Sequence, residues 1–269
     1  MKKNWKLYSG IFLILLLSLC GIFAETLSPF EPFQNDLMQR LSPPDAVHIL
    51  GTDHLGRDVF SRVLYGTKLS MGIAFTVLGI SVLLGGAAGI WTGYFGGMID
   101  SFLMSVIDML LAFPNMILAL AVAGILGAGL RNTVITMCLV SWIGYARMIR
   151  NLVLSLREKE FVKAAILAGT PDWKIMIRHI CPHVLGPVLV YAGTNIGSIL
   201  MQLAALSFLG LGAQPPTAEW GAMLNEAKGY MTAAPWLTVA PSVMLILTVT
   251  GFNLLGEGIS KAFARGKRA

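Results

Sequence analysis

Residues 157–182 read REKEFVKAAILAGTPDWKIMIRHICP, a charged and helix-forming stretch with long apolar segments on both sides. Across the 269 residues of the chain, 55% are hydrophobic and only 13% are charged. Soluble domains carry about 25% charged residues, so a soluble globule of this composition would expose far too much apolar surface. The composition therefore predicts an all-α, polytopic membrane protein. The charged stretch becomes the part on which a soluble partner could dock.

Six apolar segments are each long enough to cross the hydrocarbon core of a bilayer, which takes about 20 helical residues. They predict transmembrane helices at residues 7–24, 68–94, 101–126, 133–149, 184–209 and 236–255. The first segment could instead be a signal peptide or a lipoprotein leader. We expect it to be retained, because Leu19 is too large for the position before a lipoprotein cysteine and no small-residue cleavage site is clear.

Glycine and proline predict how two of these helices pack. The second helix is rich in glycine, which allows close backbone contact with neighbouring helices and predicts a place inside the bundle. Its glycines are Gly72, Gly79, Gly85, Gly86, Gly89 and Gly93. Pro114 lies inside the third helix and predicts a kink there, because proline removes a backbone hydrogen bond.

The distribution of Lys and Arg predicts the orientation. Fourteen of the 20 basic residues lie in the amino terminus (1–6), in the loop 150–183 with the foot of the fourth helix, or in the tail 256–269. Cytoplasmic loops carry an excess of Lys and Arg. Both termini and the loop 150–183 are therefore predicted to be cytoplasmic, and the loops 25–67 and 210–235 external. The net charge of +6 is then explained by the basic residues on the predicted cytoplasmic side, and no nucleic-acid partner is expected.

The first half of the charged stretch predicts a short helix over residues 160–168. Its small and apolar residues recur at three- and four-residue spacing, which is typical of one helical face. They are Phe161, Ala164, Ala165 and Ala168. Gly169 is predicted to end this helix. An amphipathic loop lying on the lipid headgroups would show the same pattern, so these residues alone leave both interpretations open.

A second short helix is predicted to follow. Thr170 suits its N-cap, Pro171 its first position, and Asp172 the positive end of its dipole. Trp173 begins an apolar face, and Pro182 is predicted to break the helix before the fifth transmembrane segment. The product would be two helices at an elbow, short enough to fit a groove on another protein.

The pattern within the stretch resembles the "EAA" loop of ATP-binding-cassette (ABC) importer permeases. The residues that carry it are Lys163, Ala164, Ala165, Gly169 and Pro182. Two positions depart from the motif: Lys163 stands where glutamate is usual, and Cys181 where leucine is usual. Glu160, one turn earlier, could supply an acidic contact to the ATPase. The resemblance implies that a set of residues in this stretch couples the permease to its ATPase. They are Glu160, Lys163, Ala164, Ala165, Gly169, Thr170, Pro171, Asp172 and Trp173.

Three longer blocks resemble the dipeptide, oligopeptide and nickel branch of these permeases, and specifically the second permease of the pair. They are GTDHLGRDVFSR at 51–62, AGIWTGYFGGMID at 88–100 with AFP at 112–114, and LSFLGLGAQPPTAEWGAML at 206–224. The resemblance implies a type I permease domain over residues 68–260. It further implies a heterodimer with a sister permease, two cytoplasmic ATPases and an external substrate-binding protein. ATP would be bound by those partners, because the chain contains no GxxxxGK[ST] loop of its own.

The cargo is predicted from individual residues within the blocks. Three segments look most similar to the nickel and metal-chelate members: GTDHLGRD, residues 145–162 and residues 216–227. Peptide permeases share these blocks but differ at some of their residues. We favour nickel or a related metal chelate and keep a dipeptide or oligopeptide as the alternative. No metal site is predicted on the chain, because His48 and His54 are not at ligand spacing and a chelated metal needs no further ligands.

Asp108 is predicted to lie inside the third transmembrane helix. Placing a charged side chain in the bilayer costs free energy, so such residues are often functional. Asp108 could form a buried structural ion pair with Arg147 or Arg150, which we favour. It could also serve proton coupling in a secondary transporter, which is the rival function from another class. No nucleophile with a neighbouring base emerges, so an enzyme is not predicted.

The external loops hold a last set of candidates, which could touch the binding protein or stabilise the folded loops themselves. They are Asp53, His54, Arg57, Asp58, Glu219 and Trp220. For Asp53, Arg57 and Asp58 we favour mutual pairing or capping of the second helix. For His54 a role as a metal relay is the weaker interpretation. A folded loop that seals the exit would use Glu219 and Trp220 equally well.

Overall fold

The computed structural model describes residues 5–266, and within them the chain is α-helical with no β-strand. The helices are α1 (Trp5–Ile22), α2 (Ala24–Leu27), α3 (Val59–Phe95), α4 (Gly97–Leu111), α5 (Asn115–Leu126), α6 (Leu130–Arg157), α7 (Glu160–Leu167), α8 (Asp172–Ile175), α9 (Cys181–Phe208), α10 (Trp220–Ala227) and α11 (Trp236–Gly266). The predicted all-α class is confirmed.

Four helices within the described residues are long and apolar enough to cross a membrane. They are Trp5–Ile22, Val59–Phe95, Asp172–Phe208 and Trp236–Ala262. The pair α4 and α5 would make a fifth span if it crosses as one unit. The predicted fourth span lies inside α6, whose 28 residues include four arginines. The count of six spans therefore stays a prediction.

The third predicted span, residues 101–126, is not one kinked helix. The structure divides it into α4 and α5, which meet at 96° across Ala112, Phe113 and Pro114. Proline lacks the N–H that an α-helix needs and restricts the preceding residue to an extended backbone. Pro114 itself adopts an extended conformation (φ −56°, ψ 129°) before α5 begins. The effect of this proline is therefore a complete break.

Several helices extend beyond the apolar segments that predicted them. α3 begins at Val59 instead of residue 68, and α6 continues to Arg157 instead of ending at 149. Apolarity marks the part of a helix that suits lipid, whereas caps and tertiary contacts decide where the helix ends. Residues 1–4 and 267–269, which belong to the predicted cytoplasmic termini, lie outside the described residues.

The main helix contact joins α3 to α6 through glycine. A Cβ atom added at Gly89 would lie 2.6 Å from the carbonyl oxygen of Ala146, and Gly85 and Gly93 show the same closeness to α6. These three glycines are four residues apart, so they form one small face that lets the backbones approach. Gly79 differs, because an added Cβ there would have no neighbour within 4 Å in the described part of the chain.

The contact between α3 and α6 predicts that a Gly→Val substitution lowers stability at one position of α3 and not at another. Gly89→Val should lower stability by about 1–3 kcal/mol, because the side chain would overlap the backbone of α6. Gly79→Val places the same side chain in open space and should leave the stability of the chain nearly unchanged. The thermal unfolding midpoint of each variant in detergent measures the difference. Equal midpoints would contradict the packing described here.

Candidate coupling surface and external charge cluster

The turn after α7 is built around Gly169. Its φ of +72° is a left-handed conformation that glycine adopts readily. The N–H of Gly169 donates to the carbonyl of Ile166 at 3.0 Å, and that of Thr170 to Ala165 at 3.1 Å. This pair of bonds is a Schellman motif, which satisfies carbonyls at a helix end. Gly169 thus ends the first helix of the elbow, as the sequence predicted.

The predicted cap of the second helix is wrong. The structure places Pro171, not Thr170, at the N-cap of α8, and no side chain caps this helix. Asp172 does lie in the first turn of α8. Its carboxylate also accepts a hydrogen bond of 2.6 Å from the Tyr94 hydroxyl at the end of α3. Asp172 therefore ties the elbow to α3, a contact that the sequence did not predict.

Pro182 does not break the helix, contrary to the prediction. α8 continues through a π-helical segment, Met176–Ile180, directly into α9, and Pro182 lies in the first turn of α9. The N–H of Cys181 donates to the carbonyl of Met176, five residues earlier. Such a π-turn changes the backbone ladder locally, which allows a proline that lacks an N–H to follow. The second helix of the elbow, α8, and α9 therefore form one continuous helix of 37 residues, Asp172–Phe208.

One face of the elbow is buried. Val162 from α7, Ile175 from α8 and Ile180 from the π-helical segment are all fully buried. They pack in one cluster with residues of α3, α6 and α9, namely Tyr94, Tyr145, Ile149, Val153, Val184 and Val188. This packing attaches the elbow to three long helices.

The opposite face of the elbow is apolar and exposed. Leu167 is 88% exposed, and Trp173 and Ile177 are each more than 60% exposed. Glu160 and Ala164 lie on the exposed surface of α7, and Ala165 is half-buried. Lys163, at the position of the usual glutamate, pairs with Glu158 at 3.1 Å. Large apolar side chains exposed close together in the chain are typical of a site of protein interaction.

Asp108 pairs with Arg147, as predicted, with 3.2 Å between Oδ1 and the guanidinium nitrogen. The pair is not buried, because both side chains are about half exposed. Arg150, the other predicted partner, instead holds Asp100 through two contacts of 2.6 Å. Asp108 therefore lies on a side of the bundle that this chain alone leaves uncovered.

A buried charge cluster joins the segment before α3 to α10. Arg57 contacts Asp53 at 2.6 Å and Glu226 at 2.6 Å, and Arg62 contacts Glu226 at 3.2 Å and Asp53 at 3.5 Å. Both arginines are only 1% exposed. The Asp53–Arg57 contact agrees with the mutual pairing that the sequence analysis favoured. Sequence reasoning missed Arg62 and the role of Glu226, because Glu226 is far away along the chain.

Two candidates from the predicted external loops cap helices, and a third is buried against α3. Asp58 caps α3 by accepting from the Ser61 N–H at 2.7 Å, as predicted. Glu219 caps α10 through the N–H groups of Gly221 and Ala222, and burial raises the pKa of its carboxyl. Trp220 is fully buried and donates from Nε1 to the Val63 carbonyl at 3.3 Å. The interpretation of Glu219 and Trp220 as contacts for a binding protein is therefore wrong for this conformation.

His54 lies beside the charge cluster, where its ring stacks on Tyr230 with centroids 5.4 Å apart. One ligand atom from each of Asp53, His54 and Glu226 could meet within 4.8 Å, and the buried Nδ1 of His54 has no hydrogen-bond partner in the described residues. The two buried arginines already neutralise both carboxylates, and their charges oppose a bound cation. The donor set therefore does not fit a metal ion.

Comparison with known proteins assigns the chain to a family. Residues 85–269 match the family described as "Binding-protein-dependent transport system inner membrane component". The chain belongs to this family. It is therefore a permease subunit of an ATP-driven ABC importer, embedded in the inner membrane, and ATP is hydrolysed on separate ATPase subunits. The matched residues include the whole elbow and exclude Asp53, Arg57 and Arg62 of the charge cluster.

Two relatives and one solved structure extend this assignment. The permease is 40% identical to the nickel transport system permease protein NikC of Escherichia coli (strain K12), over 96% of this chain and 94% of the relative. It is 38% identical to the dipeptide transport system permease protein DppC of Alkalihalophilus pseudofirmus, over 97% and 86%. The inward-facing MetNI methionine ABC transporter gives a TM-score of 0.61 at 16% identity, over 76% of this chain and 96% of that one. The predicted type I permease fold and branch are confirmed.

The charge cluster predicts a large loss of stability for Glu226→Gln. Removing one carboxylate charge leaves the buried Arg57 and Arg62 without full compensation, a change that costs about 3–5 kcal/mol. Glu25→Gln removes a carboxylate from an exposed pair with Lys68 and should change stability little. Chemical unfolding of the purified permease in detergent compares the two variants. A Glu226→Gln variant as stable as Glu25→Gln would show that the buried cluster contributes little.

Proposed function

We propose that the permease takes up nickel or a related metal chelate, as one half of a path that it forms with a sister permease. The nickel permease NikC, at 40% identity, supports this cargo. DppC, at 38%, supports a dipeptide or oligopeptide as the alternative. The remaining partners proposed here are two cytoplasmic ABC ATPases, which bind the ATP, and an external substrate-binding protein. The chain itself holds no cofactor in this proposal.

The observation that carries the proposed coupling to ATPases is that the elbow has one buried face and one exposed face. Its inner face is anchored by the fully buried Val162, Ile175 and Ile180, and its outer face exposes Leu167 and Trp173 to solvent. An amphipathic helix pair of this kind fits a hydrophobic groove on another protein. In a permease of an ABC importer, the partner proposed for this surface is the ATPase.

The contacts of the elbow connect the proposed ATPase docking surface to α3 and α9. Closure of the ATPases would push the elbow, and the hydrogen bond between Tyr94 and Asp172 would carry the displacement into α3. The continuous helix through Met176–Ile180 would carry it into α9. The ATPases shift the permease between outward-open and inward-open states only if their own states differ in affinity for the two conformations.

The proposed orientation follows the positive-inside rule. The elbow and both termini face the cytoplasm, and the segment before α3 and α10 face outward. In that orientation the cluster of Asp53, Arg57, Arg62 and Glu226 holds the two external segments together. His54, Asp58, Glu219 and Trp220 support the same external structure. None of them is proposed to bind a metal.

Substitutions at Gly169 test the coupling role. Gly169→Val should reduce ATP-dependent uptake by about tenfold or more, because a β-branched residue disfavours the left-handed turn between α7 and α8. Gly169→Asn is the matched control, since asparagine tolerates that conformation, and it should retain most of the uptake. Uptake and ATPase activity are measured on the assembled transporter in liposomes. In Gly169→Val, ATP hydrolysis should continue without transport.

Normal coupled uptake by Gly169→Val would count heavily against the elbow as the docking element. A second control is the permease chain reconstituted alone. Flux without ATPase subunits would favour the rival secondary transporter, with Asp108 as its coupling residue.

The cargo is tested by uptake in a strain that lacks the gene for this permease. Labelled nickel uptake should be restored by the intact gene, whereas labelled dipeptide uptake should not change. The matched control is a gene with the Gly169→Val change, which should restore neither. Restoration of dipeptide uptake instead of nickel uptake would replace the proposed cargo by its alternative.

A further inference from the structure

A groove of about 470 Å³ opens on the bundle surface where α9 meets α5, α6 and α11. This volume lies in the range of small-molecule sites. Its polar lining residues are Asn115, Ser141, Tyr191, Asn195, Ser198, Gln202 and Asn253. Asn195 lies at the middle of α9 (Cys181–Phe208), so the groove lies near the centre of the membrane in the proposed orientation.

The polar residues of α9 form one stripe along the helix. Tyr191, Asn195, Ser198 and Gln202 follow each other at spacings of four, three and four residues, which places them on one helical face. The stripe is about 16 Å long, at 1.5 Å per residue. Hydrogen-bonding side chains are costly against lipid and are found facing a cavity or another protein. The stripe is therefore expected to face a cavity or a neighbouring protein and not the hydrocarbon, and the groove is the cavity beside it.

The lining mixes apolar side chains with polar groups that carry no charge. Among the described residues that line the groove, none is Asp, Glu, Lys, Arg, His or Cys. Bare divalent nickel is held by imidazole, carboxylate or thiolate groups, and the thioethers of Met116 and Met201 are softer ligands without such partners. The amide and hydroxyl groups of the lining can hydrogen-bond both the ammonium and the carboxylate of a zwitterion. They carry no charge that would bind one of the two in preference to the other.

Two amide side chains are oriented by the protein itself. The Nδ2 group of Asn195 donates to the Tyr145 hydroxyl at 3.2 Å, and the Nε2 group of Gln202 donates to the Asn115 carbonyl at 3.4 Å. Within residues 5–266, neither side-chain oxygen accepts a hydrogen bond. Since an amide oxygen is an acceptor, both residues present acceptors to whatever occupies the groove.

We infer that this groove is the permease's cargo-contact site, in which Asn195 and Gln202 accept hydrogen bonds from N–H groups of a small solute without large net charge. This inference rests on the proposed function and names the chemistry of the same path. A zwitterionic dipeptide and a metal enclosed by amino-acid ligands both present such N–H groups. A bare divalent cation does not, and the groove does not accommodate it.

The test uses the complete transporter, with its sister permease, ATPases and binding protein, in liposomes. Three probes are compared: labelled nickel chloride without chelator, labelled nickel premixed with histidine, and a labelled dipeptide. Asn195→Leu and Gln202→Leu remove the acceptors, and Asn195→Gln and Gln202→Asn retain them at changed length. Thr76→Val is the matched control, because it removes an exposed hydroxyl from α3 outside the groove.

The wild-type transporter should take up the chelate or the dipeptide at least about tenfold faster than bare nickel. Each Leu variant should lose about tenfold in uptake, the effect of one hydrogen bond to a charged donor. The amide variants should recover part of this loss, and Thr76→Val should match the wild type. ATPase activity stimulated by the binding protein should persist in all variants, which shows that the complexes are folded and coupled.

Two results would overturn the inference while leaving the proposed importer intact. One is uptake of bare nickel as fast as the chelate, and the other is wild-type uptake by both Leu variants. Absence of any ATP-dependent uptake by the wild-type complex would overturn the proposed function and the inference with it. Preference for the chelate over the dipeptide, or the reverse, identifies the source of the N–H groups and supports the site in either case.

Discussion

The close contact between α3 and α6 is the constraint on which the rest of the structure depends. Gly85, Gly89 and Gly93 let the two backbones touch, and α3 runs unbroken for 37 residues, or about 55 Å. One end of α3 carries Arg62 of the buried charge cluster, and the other carries Tyr94, which holds the elbow. One continuous helix thus connects the proposed external and cytoplasmic ends. The glycine face packs α6 directly against it.

Sequence reasoning succeeded where a local rule determines the structure. Gly169 ends a helix because few other residues adopt its backbone conformation, and Asp58 caps α3 because its side chain reaches the next turn. The pair Asp53–Arg57 lies within one turn before α3, where the Asp53 carboxylate also accepts from the Arg57 N–H. The fold class was predictable for the same reason: backbone groups in lipid must be satisfied within each segment, so apolar segments become helices.

Sequence reasoning failed where tertiary contacts decide. Trp220 has the amphipathic character of an interface residue, yet it fills the space that Gly66 leaves on α3 and is fully buried. Pro182 has the character of a helix breaker, yet the π-helical segment before it lets the helix continue. Glu226 completes the charge cluster from a position 169 residues away from Arg57. No periodicity or spacing rule predicts such contacts, because each depends on how distant helices are placed.

The lining of the groove explains why similarity alone leaves the cargo open. NikC and DppC are almost equally similar to this permease, although their names give nickel and dipeptide as cargo. Amide oxygens accept hydrogen bonds from many N–H groups with similar strength. A groove that recognises its solute only through such bonds therefore discriminates weakly between solutes. A metal enclosed by amino-acid ligands and a dipeptide then present the same surface to α9. Within such a path, the choice between them requires a contact with parts of the cargo that differ, and the uncharged lining of this chain does not provide one. Selection between metal and peptide must then be made by another component of the transporter.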